Sequence, residues 1–419
     1  MLGTNAATCG IAGLATLGVI ARPWNLPEYI WAVTGAVMLV AFDLLPWPDA
    51  VTAAGKGTDV YFFLIGMMLL AEVARKEDLF DWLAQQAVKH SRGSASRLFS
   101  IVYAVGALVT IFLSNDATAV VLTPAVYAAT RAAKVEPLPY LFICAFIANA
   151  ASFVLPISNP ANLVLFGERM PTLPEWLRYF ALPSVASVAA TFIALRISQR
   201  DSLRGAVDSA GGDTVALTRT AAIVAVGIGA TAVALLAASA FNRNLGLPTF
   251  VCGAVVTAIV LLIGRKSPMS VIRDISWSVL PLVAGLFILV EGLNHTAVLP
   301  ALAKELKQVT AVSPHAASWG AGIITAIASN LINNLPMGLI AATTTHTAQS
   351  PHHVTGAILI GVDLGPNLSV TGSLATILWL IALRREGEHV GALRFLRLGV
   401  LVMPPALVLS LLALSLIAP

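Results

Sequence analysis

The sequence predicts an all-α polytopic membrane protein: two inverted repeats, about ten transmembrane helices and two re-entrant hairpins, with broken helices at the midplane. Three observations carry this expectation. First, 58% of the 419 residues are hydrophobic and 11% are charged, against about 45–50% and about 25% in soluble domains. Second, the chain divides into twelve apolar runs, four of which are too long for one simple span and are interrupted by polar, Gly or Pro residues. Third, the basic residues fall mostly on one side of the alternating runs.

The runs cover residues 6–21, 28–46, 59–74, 98–130, 138–167, 175–198, 218–240, 247–264, 276–295, 314–346, 353–383 and 397–418. A spanning helix needs about 20 apolar residues, so most runs are one crossing each. The first lacks a preceding Lys or Arg and leads into further spans, so it reads as a transmembrane helix and not as a cleaved signal peptide. The run 98–130 is broken at Ser114, Asn115 and Asp116; 138–167 at Pro156, Ser158, Asn159 and Pro160. The run 314–346 breaks at Ser329, Asn330, Asn333, Asn334 and Pro336, and 353–383 at Asp363, Gly365, Pro366, Thr371 and Gly372. Irregular backbone at membrane depth survives only inside protein or beside a water-filled cavity. Residues 76–91, KEDLFDWLAQQAVKHS, have the spacing of an amphipathic helix on the inner surface.

The breaks recur. Ser114 and Ser329 lie 215 positions apart, as do Ser158 and Ser373, while Gly66 and Glu72 match Gly285 and Glu291 at 219. Conserved order at nearly constant spacing signals an internal repeat. The expected organisation is a first repeat at 1–198, a cytoplasmic linker at 199–217 and a second repeat at 218–419. With 98–130 and 314–346 as hairpins returning to their own side, ten crossings remain. Placing the N-terminus outside puts 19 of the 25 basic residues in inner loops, as the positive-inside rule requires. Both termini then lie outside an inner (plasma) membrane, and the second repeat runs opposite to the first, an arrangement that puts binding near the midplane.

Several functions are excluded or disfavoured. The net charge of +4 is mild and loop-located, which speaks for topology and against nucleic acid. Cys9, Cys144 and Cys252 are far apart and form no thiol or metal motif; no metal and no cofactor is expected. There is no GxxxxGK[ST] loop, HExxH, GxSxG or TVGYG, which removes ATP hydrolysis, the simplest intramembrane hydrolases and a potassium-type filter. The chain therefore reads as a transporter and not an enzyme.

The remaining chemistry is at the breaks. Asp116, flanked by apolar sequence, is the first candidate for a proton carrier, because an ionisable side chain within the membrane is costly unless it has a task. Asp363 is the corresponding candidate in the second half; GVDLGPN also has the composition of a turn. Asn115, Ser158, Asn159, Asn330, Asn333, Thr371 and Ser373 are neutral donors and acceptors suited to a small, uncharged polar solute. Glu72 and Glu291 are candidate pair partners or relay groups, although a helix-end glutamate facing water is the commoner case, and His346, His352 and His353 are expected near an outer loop.

Three stretches, SNDATAVVLTP (114–124), FIANAASFVLPISNPANLVLFG (146–167) and ASNLINNLPMGLIAA (328–342), resemble ArsB-type arsenite and antimonite efflux permeases of the ion transporter superfamily. The similarity runs the full length. It implies two inverted repeats and proton-driven export of As(OH)3 or Sb(OH)3 from the cytoplasm, with some members also energised by a soluble ATPase, ArsA. Two departures matter. Enterobacterial members carry an aspartate where this chain has Asn149, so a coupling role for that acid does not carry over. The Ser-Asn-Thr triplets of sodium-coupled relatives are here Ser114-Asn115-Asp116, Ser158-Asn159-Pro160 and Ser329-Asn330-Leu331, which weakens a sodium-coupled anion transporter or a sodium/proton antiporter as the alternative. A passive channel and a receptor or scaffold are the readings from other classes. Arsenous acid is largely neutral at physiological pH, and the polar centres contain no Arg or Lys, which a site for anions would call for.

Overall fold

The computed structural model describes residues 2–167, 170–208 and 216–417. Part of the linker, 209–215, and the outer-loop residue Arg169 lie outside the described residues.

Among the described residues, twenty-one α-helices follow one another: α1 Leu2–Ala21, α2 Glu28–Ala41, α3 Trp47–Lys56, α4 Thr58–Lys76, α5 Leu79–His90, α6 Ala95–Phe112, α7 Asn115–Ala117, α8 Thr123–Ala132, α9 Leu138–Ala150, α10 Pro160–Phe166 and α11 Leu173–Ser198. After the linker come α12 Arg219–Ala240, α13 Gly246–Gly264, α14 Pro268–Asp274, α15 Val279–Asn294, α16 Val298–Val312, α17 Pro314–Ile332, α18 Asn334–Ala348, α19 His352–Leu364, α20 Leu374–Arg385 and α21 Ala392–Ile417. Among the described residues, six helices are long and apolar enough to cross a membrane unaided, and two bent pairs, α3 with α4 and α14 with α15, bring the number to eight. Of these eight, α6 is the first arm of the 98–130 hairpin; the other seven, with the shorter apolar α2 and the broken pairs α9/α10 and α19/α20, make up the ten expected crossings.

Packing repeats between the halves. Helix α4 lies on α13, and α15 on α2; α5 packs on α8, and α16 on α18; α6 packs on α9, and α17 on α19. The third long helix of each half thus sits on the second of the other, so the halves interlock, and α11 and α21 pack together. The matched glycines explain the closeness of these contacts. A Cβ on Gly66 would run into the Thr249 carbonyl of α13, and one on Gly285 into the backbone of Ala32 in α2. Small residues let backbones approach where lipid offers no hydrophobic drive between helices.

The core is the broken segments. Every residue of α9 is buried, and α19 is buried from Val354 to Leu364. A helix apolar all round belongs in the interior, and here that buries the irregular backbone at 151–159 and 365–373. The amphipathic stretch forms α5 and buries Leu79, Phe80, Ala84 and Ala87.

One expectation needs correction. Ser329 is not the counterpart of Ser114. The two breaks after the first hairpin arms are capped by Ser114 and Asn333, 219 positions apart, the same interval that separates Gly66 from Gly285. Ser329 and Asn330 still belong to the last turns of α17, where their side chains bond back to the Thr325 and Ala326 carbonyls at 2.8 Å each. Likewise α10 and α20 are capped by Asn159 and Ser373, 214 apart, so Ser373 matches Asn159 and not Ser158. A shared Ser-Asn pair misled the alignment because the side chains do different work: capping in one half, back-bonding in the other.

Candidate functional site: the crossing of the broken helices

Each hairpin tip is stitched to the break beside it. At the first tip, Ser114 Oγ accepts from the Ala117 amide (3.3 Å), Asn115 Oδ1 accepts from the Asp116 amide (2.9 Å), and the Asn115 amide donates to the Ser158 carbonyl (3.2 Å). Ser158 Oγ closes the stitch by donating to the Ile111 carbonyl (3.0 Å) and accepting from the Leu155 amide (3.2 Å). Residues 118–122 then widen into a π-helical turn. Pro124 has no N–H to continue the normal ladder, and Thr123 Oγ1 donates to the Thr118 carbonyl instead.

The second tip repeats the pattern. The Asn334 amide donates to the Gly372 carbonyl (2.8 Å), Asn333 Nδ2 to the Thr371 carbonyl (3.3 Å), and Thr371 Oγ1 to the Asn330 carbonyl (3.0 Å). Asn330 spans both elements: its amide reaches the Gly365 carbonyl (2.9 Å) while its Oδ1 accepts from Ser369 Oγ (2.7 Å). Asn333 adopts φ 73°, ψ 152°, a conformation costly for any residue with a side chain and concentrated at functional sites. Ser373 Oγ caps α20 by accepting from the Thr376 amide (3.1 Å).

Between the tips, the two broken segments are tied to each other twice. Asn159 Nδ2 donates to Asp363 Oδ1 (2.8 Å), and Asn149 Nδ2 donates to Asn367 Oδ1 (3.0 Å), whose own amide is fixed by the Phe146 carbonyl (3.0 Å). Asn162 donates to the Ser152, Leu155 and Pro156 carbonyls. Three acceptor oxygens are enclosed there without a hydrogen-bond partner among the described residues: Asp363 Oδ2, Asn149 Oδ1 and Asn162 Oδ1. Their amide groups are oriented by what the nitrogens bond, so the open acceptors follow from the network.

The two acids differ. Asp363 is the penultimate residue of α19 and is fully enclosed. Asp116 is partly exposed, in the first turn after the first tip. Neither forms an ion pair among the described residues. GVDLGPN therefore holds the more deeply buried acid and is no surface turn. Asn149 is the penultimate residue of α9, 214 positions before Asp363, and so occupies the mirrored place.

The nine residues singled out from sequence thus divide into Asn115, Asp116 and Ser158 at the first tip, Asn330, Asn333, Thr371 and Ser373 at the second, and the Asn159–Asp363 bridge between them. Sequence reasoning did not single out Asn367, nor Asn149 as a partner for it. Applying the 214-residue interval to Asp363 leads directly to Asn149.

The two matched glutamates are internal pair partners. Glu72 accepts from Arg75 Nε (2.9 Å) and Nη2 (2.6 Å), and Glu291 accepts from Lys56 Nζ (2.8 Å).

Relatives are similar over most of the chain. The Escherichia coli arsenical pump membrane protein is 25% identical over 405 residues, covering 92% of this chain and 93% of its own. The Yersinia enterocolitica arsenical pump membrane protein is 27% identical over 371 residues, 84% and 85% of the two chains. Among solved structures, the YdaH transporter of Alcanivorax borkumensis, described as having an unusual topology, superimposes with a TM-score of 0.55 at 18% identity, over 88% of this chain and 86% of that one. These relatives bear out the resemblance carried by the three motifs, to ArsB-type permeases of the ion transporter superfamily. Residues 16–362 match the family model CitMHS, described as citrate transporter, and this multi-pass membrane protein belongs to that family.

Proposed function

We propose that this chain exports trivalent metalloid hydroxides, As(OH)3 or Sb(OH)3, from the cytoplasm in exchange for entering protons, by alternating access around the crossing of the broken helices. The observation that carries the reading is Asp363: fully enclosed, one oxygen on the Asn159 amide, and, among the described residues, no partner on the other oxygen and no ion pair. A carboxylate enclosed without a cation is costly in its charged form. A proton that arrives and leaves with the transport cycle removes that cost in one state and restores it in the other. Asp116, with access to space at the tip, is the second proton-coupling group.

The neutral lining supports the substrate class. Asn115, Ser158, Asn159, Asn330, Asn333, Thr371 and Ser373 offer amides, hydroxyls and carbonyls, which suit a solute that carries hydroxyl groups and no charge. The names of the full-length relatives point the same way.

In this reading residues 1–198 and 218–419 are the moving repeats joined by a cytoplasmic linker, in the inner membrane with both termini outside. An ArsA-type ATPase, where one is used, docks on the inner loops around 75–97 and 199–217.

Everted membrane vesicles provide the test. Arsenite and antimonite uptake without ATP is expected under an imposed proton gradient and is abolished by a protonophore. Uptake insensitive to the protonophore refutes the coupling and describes a passive facilitator. Uptake appearing only with added ATPase and ATP makes the soluble partner obligatory. The family's description as citrate transporter favours one second reading, a sodium-coupled carboxylate carrier; sodium-dependent citrate uptake with no metalloid uptake would establish it.

A further inference from the structure

One charged pair lies beside the site without belonging to it. A small cleft runs between α1, α2 and α15 on one wall and the second tip with α20 on the other. Asn333 and Leu335 of the tip line it, Leu282, Leu286 and Leu374 make it apolar, and its charged lining residue is Glu28, at the start of α2. Glu28 is ion-paired with Arg22, the residue that ends α1 in a left-handed turn. Both side chains are about four-fifths enclosed, at 21% and 17% exposure.

We propose that Glu28 sets the charge selectivity of this cleft by masking Arg22, so that the route to the Asn333 tip stays electrically neutral. The inference rests on reading that tip as part of the transport site. An unmasked guanidinium behind the wall of an apolar, half-enclosed cleft attracts anions into it far more strongly than one in water, because the local dielectric is low. With Glu28 in place the pair has no net charge, and the apolar walls give an anion nothing in return for its lost hydration. A neutral hydroxide loses less on entry. The same scaffold, with its arginine uncovered, would admit anions. Glu28 therefore acts as a specificity residue at the entrance and not as a group that touches the bound solute.

The test reads the cleft potential directly and needs no transport substrate. Leu335→Cys is introduced after Cys9, Cys144 and Cys252 are replaced by Ser, and permeabilised membranes are labelled with two methanethiosulfonates of similar size, one sulfonated and one quaternary ammonium. The rate ratio, anionic over cationic, is normalised to a free thiol. The Arg22–Glu28 background is expected to lie near the free-thiol ratio. Glu28→Gln should raise the ratio about tenfold at low ionic strength, Arg22→Gln should lower it by a similar factor, and the double variant should return it to the starting value; added salt should shrink both shifts.

Equal ratios in all four proteins overturn the proposal. So does a Leu335→Cys thiol that neither reagent reaches, since the cleft would then not be an aqueous route. A parallel vesicle assay separates the two readings: shifts as expected with no metalloid uptake by the unmutated chain would sink the proposed substrate and leave the role of Glu28 standing. Metalloid uptake that becomes inhibitable by citrate in Glu28→Gln, and not in the double variant, would join them.

Discussion

The two halves of the molecule share a backbone plan and divide their acids unequally. At the hairpin tips, Asp116 follows Asn115 in the first half, while Leu335 stands at the equivalent place after Asn334 in the second. At the broken helices the inequality reverses: the penultimate residue is neutral Asn149 in α9 and acidic Asp363 in α19. Each half therefore keeps one acid, on a different element, and each acid faces a neutral residue at its mirrored position. Backbone symmetry supplies two interchangeable arrangements, as inverted repeats do. The chemistry laid on it is not interchangeable, so exchanging the acids between halves is the direct way to probe what the symmetry is for.

The largest effect is expected at Asp363. Replacing it by Asn keeps the shape and the Asn159 contact but removes the titrating group, and proton-driven metalloid uptake should fall by at least about a hundredfold, equivalent to roughly 2.8 kcal/mol. Moving the acid with the double variant Asn149→Asp/Asp363→Asn should restore part of the proton dependence if the mirrored site is equivalent. A double variant as inactive as the single one would show that the acid must sit on α19, and the comparison between halves would sharpen accordingly.

Asp116 comes next. Its carboxylate is partly exposed and makes no ion pair among the described residues, so Asp116→Ala costs little packing. Loss of metalloid resistance with normal amounts of protein in the membrane is expected. Normal resistance in that variant removes Asp116 from the mechanism and leaves coupling to Asp363 alone.

How much of this was legible beforehand differs between the two levels of structure. The breaks were legible because polar residues in an apolar run have only one tolerable place, and Gly66 and Gly285 were legible as a matched pair from their spacing, while their close helix contacts emerge only in the structure. The register inside each break was not. Ser329 and Asn330 spell the same pair as Ser114 and Asn115, and only the hydrogen bonds show that one pair bonds back along its helix while the other caps and follows a turn. The relative burial of the acids was illegible for a similar reason. Asp363 is bonded by Asn159 and sits in α19, which packs on α9, α10 and α21 from distant sequence, whereas its own neighbours Gly365 and Pro366 have turn composition. Glu28 beside Arg22 has the composition of an ordinary surface loop, and nothing local reveals that the pair borders a cleft leading to Asn333.

A third test concerns the strained tip. At Asn333 the backbone conformation and the side-chain amide are separable, because glycine tolerates the conformation without supplying the amide. Asn333→Gly should keep the fold and lower uptake about tenfold, through the lost contact to the Thr371 carbonyl and whatever the amide gives the solute. Asn333→Ala loses the same amide and adds backbone strain of about 1–3 kcal/mol, so its thermal stability in detergent should fall below that of the glycine variant. Equal stability of the two would mean that the tip relaxes to another backbone, and its likeness to the Ser114 tip would then be looser than the shared hydrogen bonds imply.

The smallest effect is expected where the halves differ least in function, at the ion clusters on the matched glutamates. Glu72 is held by a two-pronged arginine contact and is itself mostly buried, with Lys76 and Asp274 extending the network to α14. Glu291 is held by Lys56, whose side chain is 54% exposed, while His295 lies 3.8 Å from Glu291 and 3.7 Å from Asp49. An exposed lysine pair contributes about 0–1 kcal/mol, and in a chain this large that moves a thermal midpoint by only about 1 °C. Lys56→Ala should therefore be nearly silent in stability and in uptake, whereas Glu72→Ala, which leaves Arg75 and Lys76 to share Asp274 alone, should cost several times more. A Lys56→Ala variant as damaged as Glu72→Ala would mean that the two clusters carry equal mechanical load despite their different partners.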